Sequence, residues 1–456
     1  MQDISDAVNR FIERNLERYL DEVCELCAQP SVSAQDWGMT DCVQLVTEVI
    51  QRHRGRVKTY ETPRNPVIVG SFAGRSDKTL LLYNHYDVQP VEPLELWESP
   101  PFEPTRRDGK IFGRGTKDDK GEWVARLFAM DALTAAYGGE LPCSVISVVE
   151  GDEEMSSPHI REFVRQHQAT LRCDGAIWEG GDISRDGSPI VPLGVRGILE
   201  VELSVRTLSH DAHSGTAHML PNAAWRLLWA LSAIKGSDEM VRIPGFYDHV
   251  KPPSEQDLGY FTTVWRENPA VIDQLQRLYE VGSFVGGRTG EDLLRSVFSP
   301  TCNIQGIGSG YQGSGSKTIV PSVATAKVDF RLVPGQDPED IADKLRRYLD
   351  SMGFFDVRMT ILGWMGSART DPAEPLVRVV TDTAESIYGT VPTVVPMIGG
   401  SSPGYAFADA LGIPVVTAGV GYWDNRRHAP TEHVRIEDFI RGTRHLAAIV
   451  DAFSRL

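Results

Sequence analysis

No stretch of this chain runs to the roughly 18 consecutive apolar residues that a membrane-spanning helix needs, so no membrane partner is expected. The opening MQDISDAVNRFIERNLERYL is charged throughout and lacks the apolar centre of a signal peptide. Cysteine is sparse: 6 in 456 residues cannot build a disulfide scaffold and suit a reducing compartment, so a cytoplasmic protein is expected. Cys24 and Cys27 form one isolated C-x-x-C inside a helical pattern, with no second pair and no strand before them, and read as structural thiols rather than a redox or zinc site. Basic residues are outnumbered. A formal net charge of -16 and a pI near 5.2 leave no basic stripe, which argues against nucleic acid as the main partner while leaving room for a local basic pocket.

What is present is the balance of a compact protein, 41% hydrophobic and 24% charged. The length exceeds what one core usually fills, so two domains are expected. Ile4, Val8, Phe11, Ile12, Leu16, Leu20, Val23 and Leu26 recur at helical spacing and predict a long N-terminal helix. From Val67 the runs VIVGSF, TLLLYNH and VISVVE alternate with helical segments such as KGEWVARLFAMDALTAAYGG, the pattern of a mostly parallel, doubly wound sheet. Near Gly194 the pattern changes to ILEVELSVRT and later TAKVDFRLV, strands with one solvated face. Helix and strand alternation returns after about Thr370. The expected fold is α/β: a discontinuous domain of residues 1–197 and 370–456, interrupted by an α+β insert of residues 198–369.

Candidate chemistry collects at strand ends. His85 and Asp87 stand two apart after TLLLYN and project to one side, so one can bind a metal while the other holds its partner in place. Asp118 and Asp119 lie in the glycine-bordered GRGTKDDKG before a helix, where a turn and helix cap would also explain them. Glu150, Asp152, Glu153 and Glu154 crowd together after VISVV, four carboxylates that repel unless a positive charge sits among them. Glu179 closes GAIW, and His428 follows GIPVVTAGV. Each position lies just past the carboxyl end of an expected strand, where open α/β sheets bind their ligands. Two histidines and three carboxylates, His85, Asp118, Glu154, Glu179 and His428, suit a pair of zinc ions if Asp118 bridges, with each ion receiving one histidine and one terminal carboxylate. Water held there would ionise near neutral pH, and the site would still need a proton carrier.

The chain resembles the dinuclear zinc metallopeptidases that include cytosolic nonspecific dipeptidase, carnosinase, glutamate carboxypeptidase, acetylornithine deacetylase and succinyl-diaminopimelate desuccinylase. The resemblance spans nearly the whole chain and rests on NHYDVQP, the PPFEP to GRGTKDDKG stretch, EGDEE, HSG, KTIVP, DFRLVP and GGSSP. It implies a zinc-hydrolase domain with a lid and dimerisation insert. Residue by residue, it implies that His85 and Glu179 hold one metal and Glu154 and His428 the other, with the Asp118 carboxylate bridging and a cis Asp118–Asp119 peptide helping to aim it. Asp87 would orient His85, and Glu153 would be the general base. His213, Thr318, Arg331 and Ser401 would contact substrate, Arg331 on its carboxylate and His213 across a homodimer joined through the insert.

The implied cofactors are two divalent ions per subunit, zinc by preference, with manganese or cobalt as alternatives. The implied activity is hydrolysis of dipeptides or short peptides with a free C-terminal carboxylate, the HSG, KTIVP and DFRLVP signatures pointing to the dipeptidase branch. An N-acyl amino acid amidohydrolase of the deacetylase or desuccinylase type is the alternative. Two departures bear on substrate preference: Met155, Ser156 and Ser157 follow EGDEE where relatives often carry glycine, and Glu179 precedes two glycines.

Three look-alikes are set aside. GSSPG at 400–404 matches a serine-nucleophile elbow, but Pro403 has no N–H to give an oxyanion. GSGYQG at 308–313 resembles a dinucleotide loop, yet turn and strand follow it, not helix. Asn222 reads as a helix cap, and His433, close to His428, as a surface histidine. A scaffold on an inactive hydrolase fold should have lost a ligand or the base, and none is missing.

Overall fold

The computed structural model describes residues 2–267 and 270–456. The chain packs as two units, the first made of Met1–Leu193, Thr370–Val395 and Ala406–Leu456, the second of Gly194–Arg369 and Pro396–Tyr405. The break falls at Leu193, four residues before the expected boundary, and 396–405, expected with the C-terminal stretch, goes with the insert. The reason is local pairing: Ile398 N donates to Gly194 O at 2.9 Å and Arg196 N to Gly400 O at 2.8 Å.

In the first unit a six-stranded sheet has the order Arg56–Tyr60, Val67–Phe72, Ser144–Glu150, Thr79–His85, Gly175–Trp178 and Val415–Thr417. The last four run parallel, and the first two add antiparallel pairings at one edge. Leu80, Leu81 and Leu82 are buried on both faces of the sheet, which is why this strand reads as an unbroken apolar run. From Thr79–His85 the chain passes first to the neighbour on one side, Ser144–Glu150, and then to the other, Gly175–Trp178. This reversal puts a topological switch point, the usual ligand crevice of such sheets, at the strand that ends in His85.

The helices follow their apolar faces. Gln2–Ala28 buries Val8, Ile12, Leu20, Val23 and Leu26 and lies along Lys120–Ala136, which in turn packs on Ile436–Phe453. Cys24 and Cys27 fall on the first of these helices, and all 6 cysteines are free. Among the described residues no helix is long and apolar enough to cross a membrane.

The second unit is built on an antiparallel four-stranded sheet, ordered Thr301–Ser309, Val323–Leu332, Gly197–Arg206 and Arg358–Met365. Leu199, Val201, Leu203 and Val205 turn inward at every second position and pack with Leu227 and Leu231 of helix Ala223–Ile234 and Leu345 of helix Pro338–Ser351. Asn222 caps the first of these helices, its Oδ1 accepting from Ala224 N at 2.8 Å and Trp225 N at 3.2 Å. GSGYQG begins on the last two residues of the strand Thr301–Ser309, which pairs antiparallel with Val323–Leu332, so it belongs to a strand connection and not to a nucleotide loop.

Candidate metal centre

The carboxyl ends of the parallel strands bring five side chains together. His85 ends its strand, Glu154 sits in the single 3-10 turn Glu153–Met155 after Ser144–Glu150, and Glu179 follows Gly175–Trp178 directly. Asp118 lies in the loop before helix Lys120–Ala136, and His428 in the loop beyond Val415–Thr417. Asp118 divides its oxygens: Oδ1 lies 3.1 Å from His85 Nε2, and Oδ2 lies 3.0 Å from His428 Nε2. Glu154 Oε2 is 3.3 Å from the same His428 nitrogen. Two triads result, His85–Asp118–Glu179 and Asp118–Glu154–His428, each with ligand atoms within 4.8 Å of one another and Asp118 common to both.

This donor set fits a pair of divalent cations. Zinc bonds of about 2.0–2.2 Å in a tetrahedron place ligand atoms roughly 3.3 Å apart, close to the separations around Asp118. Glu154 Oε1 is buried without a hydrogen-bond partner, an oxygen that a cation would satisfy. The Asp118–Asp119 peptide is cis, as the resemblance implies.

The residues behind the ligands account for their aim. Asp87 does more than face His85, whose Nδ1 lies 3.4 Å from its Oδ1. Its carboxylate also accepts from Glu153 N at 3.2 Å, Glu154 N at 3.1 Å and Ser33 Oγ at 2.7 Å, fixing the turn that carries both glutamates. Asp119 Oδ2 accepts from Asn84 Nδ2 at 2.8 Å and His85 N at 3.1 Å. Gln89 donates to Glu154 Oε2 at 2.7 Å.

Glu432, which the sequence reading passed over, grips the Asp118 loop. Its Oε1 accepts from Lys117 N at 2.9 Å and Asp118 N at 3.0 Å, and its Oε2 from Arg114 Nη1 at 2.6 Å and Gly115 N at 3.2 Å. Glu122 and Arg126 are the other omission. Arg126 donates to the carbonyls of Tyr83, Ile177, Trp178 and Ala418, stapling three strand ends, and Glu122 accepts from Arg126 at 2.8 Å and Gly180 N at 3.0 Å. A signal existed: KGEWVARLFAMDALTAA is apolar almost all round, so charges inside it must be buried and paired.

The backbone is left-handed at both departures from the resembled pattern. Ser156 and Ser157 adopt φ values of 66° and 48°, the left-handed region in which glycine is easiest, and Ser157 Oγ donates to Glu150 at 3.0 Å. After Glu179, Gly181 takes φ 80° and runs so close to Gly419 N that a Cβ would stand 2.5 Å from it.

The electrostatics are those of crowded carboxylates around two imidazoles. Burial alone would raise Asp118, yet hydrogen bonds to His428 and His85 hold its carboxyl well below the usual range. Hydrogen bonds to Asp118 and Glu154 lift His428 to about 10. Burial opposes protonation of His85, but its contacts with Asp118 and Asp87 prevail and raise it well above its ordinary value. Burial, then the charges of Glu179, Glu154 and Asp118, hold Glu153 well above the normal carboxyl range against the pull of His85.

The remaining candidates lie in the second unit. His213 pairs with Ile319 across a short two-stranded ribbon, where Ser214 N donates to Thr318 O at 3.0 Å, so His213 and Thr318 are neighbours. Arg331 donates from Nη1 to Ser401 Oγ at 2.9 Å. His433 is not the surface residue expected: it is buried in the strand His433–Arg435, paired with Lys110–Phe112, with its ring 5.0 Å from that of Phe112.

Residues 81–452 match the pattern of Peptidase family M20/M25/M40. The chain belongs to that family. It is accordingly a hydrolase acting on peptide bonds. Among similar M20 proteins, the human Beta-Ala-His dipeptidase is 26% identical over 399 residues, 85% of this chain and 77% of the human one. The Cys-Gly metallodipeptidase dug1 of Schizosaccharomyces pombe is 24% identical over 473 residues, 96% of each chain. The crystal structure of the M20 family metallo-carboxypeptidase Sso-CP2 from Sulfolobus solfataricus superposes with a TM-score of 0.87 at 31% identity, covering 96% of this chain and 99% of that one.

Proposed function

We propose that this M20 hydrolase is a dinuclear-metal dipeptidase that cleaves dipeptides or short peptides carrying a free C-terminal carboxylate. The observation that carries the reading is Asp118, whose two oxygens face two different histidines and so link two ligand triads. His85 and Glu179 would hold one divalent ion, Glu154 and His428 the other, with zinc preferred by the mixed nitrogen and oxygen donors. When bound, such ions supply Lewis acidity, lowering the pKa of water to roughly 7 and polarising a carbonyl. Glu153 takes a proton from the attacking water and passes it to the departing amine nitrogen. Asp87 keeps Glu153 at its post through the backbone bond at 3.2 Å and orients His85. Arg331, braced by Ser401, grips the substrate carboxylate with its guanidinium fork, while His213 and Thr318 hold the scissile carbonyl and the peptide backbone.

The relatives named as dipeptidases support the short-peptide assignment over N-acyl amino acid hydrolysis. The second unit also supports a homodimer: Trp225, Leu228 and Trp229 on helix Ala223–Ile234 and Ile304 and Ile307 on the edge strand Thr301–Ser309 are exposed. Apolar side chains beside an open strand edge are what a symmetry mate covers. Six free cysteines accord with a cytoplasmic home.

A hydrolysis screen decides among substrates. Dipeptides and their N-acetyl and N-succinyl counterparts are offered to enzyme loaded with zinc, manganese or cobalt, with elemental analysis of each preparation. Dipeptides should be preferred, with two ions per chain and activity abolished by chelation. Faster cleavage of the N-acyl amino acids would transfer the enzyme to the amidohydrolases, and full activity in metal-free protein would overturn the mechanism.

A further inference from the structure

In the second unit a buried guanidinium stands directly behind the substrate arginine. Arg196 is only 8% exposed. Its Nη2 donates to Ser299 O at 2.7 Å and Arg331 O at 3.1 Å and reaches Thr301 Oγ1 at 3.4 Å. Its backbone N–H donates to Gly400 O at 2.8 Å, the residue before Ser401. One residue therefore holds the strand that presents Arg331 and the loop that presents Ser401, and those two side chains meet at 2.9 Å.

The charges around it do not balance. Asp329 Oδ1 lies 3.9 Å from Arg331 Nε, while its Oδ2 accepts from Asn303 Nδ2 at 2.8 Å. Among the described residues, the charge of this one carboxylate acts on both Arg331 and Arg196. Burial, then the charge of Arg331, pushes Arg196 down to about 10, so it stays protonated at neutral pH. Its Nε is buried with no partner. A buried arginine serving packing alone is normally matched by an acid, because an unpaired buried charge is strongly unfavourable. Here the positive excess lies on the side of the group that takes an anion.

We propose that Arg196 is a positioning residue for recognition of the substrate carboxylate, fixing Arg331 and Ser401 relative to each other and adding a second positive charge behind them. This rests on the reading of Arg331 as the carboxylate clamp. Bidentate contact tolerates little error in the fork's placement, so loosening its carbonyl anchor and the neighbouring loop weakens binding of the carboxylate more than it slows bond cleavage.

The experiment compares a dipeptide with its C-terminal amide in steady-state kinetics of wild type, Arg196→Met, Arg196→Lys and Arg331→Met. Arg196→Met should raise KM for the free dipeptide about tenfold or more, the usual worth of hydrogen bonds to a charged group, with much less change in kcat. The amide, lacking the carboxylate, should lose far less, so discrimination between the two collapses. Arg196→Lys, which keeps the charge without the fork, should recover part of it and provides the measurement if the methionine variant does not fold. Equal losses for acid and amide in the folded variants, or unaltered discrimination, would overturn the inference. Arg331→Met separates the layers. If it abolishes discrimination while the Arg196 variants keep it, only the role of Arg196 falls; if it leaves discrimination intact, the clamp falls and the role of Arg196 with it.

Discussion

Replacing Glu432 with Gln changes no candidate ligand, yet it should loosen the metal centre. Glu432 is fully buried, and its two oxygens take four donors, Arg114 and the backbone N–H groups of Gly115, Lys117 and Asp118, at 2.6–3.2 Å. Glutamine puts an NH2 where one oxygen stood, so two of those donors face another donor and Arg114 loses its counter-charge. Hydrogen bonds to a charged group contribute about 1.5–3 kcal/mol each, so the substitution should destabilise the first unit by roughly 3–5 kcal/mol. The effect on the metal follows from Asp118, whose backbone N–H is one of the four: residues supporting metal ligands are typically worth about 10 to 100-fold in affinity. Competition against a fluorescent chelator would measure this, with thermal unfolding of chelator-treated protein reporting the metal-independent part. Wild-type metal affinity in a folded Glu432→Gln protein would refute the idea that this carboxylate aims Asp118.

Glu153→Gln should lower kcat by about 10² to 10⁴-fold with metal content retained; loss of metal instead would make Glu153 a ligand. His53 is buried between Glu22 at 2.9 Å and Asp131 at 2.8 Å, near Tyr19 and Arg52, and although burial opposes it these contacts raise its pKa from 6.5 to about 9. Because the folded value lies above the unfolded one, its contribution of about 3 kcal/mol is complete below pH 6.5 and is lost as pH rises through about 9; unfolding measured from pH 6 to 10 should show that decline, and His53→Gln should flatten it, an unchanged slope dismissing the assignment. If His213 serves the partner's site, mixing inactive His213→Ala with inactive Glu153→Gln should restore about a quarter of wild-type activity, since half of randomly paired dimers regain one intact site. No restoration after confirmed subunit exchange would place His213 in its own subunit.

The ligand candidates were legible because strands write locally: an apolar run followed by His85, Glu154 or Glu179 is a short-range signal, and the sheet's parallel order gathers such ends at one edge. Glu432 was not legible, since its meaning depends on Asp118, 314 positions away, and nothing in HAPTEH announces that partner. His433 misled for a related reason. Its polar neighbours suggest a surface loop, but the three-residue strand it begins is set by pairing with Lys110–Phe112, a partner distant in sequence. The joint near Leu193 shifted because 396–405 is captured by pairing with 194–196, a parallel contact that leaves no periodic trace.

The division of the first unit across the second also sets an order of events during synthesis. When a ribosome has released residues up to 369, His85, Asp118, Glu154 and Glu179 have all emerged, but the edge strand Val415–Thr417, helix Ile436–Phe453, His428 and Glu432 have not. The Asp118 loop then lacks the carboxylate that binds four of its donors, and the second triad lacks its only imidazole. A chain that stops at residue 369 thus holds one complete candidate triad, His85–Asp118–Glu179, and only part of the other. The triad that needs His428 therefore closes only after the edge strand and the residues beyond it have been made, long after the other four candidate ligands have emerged.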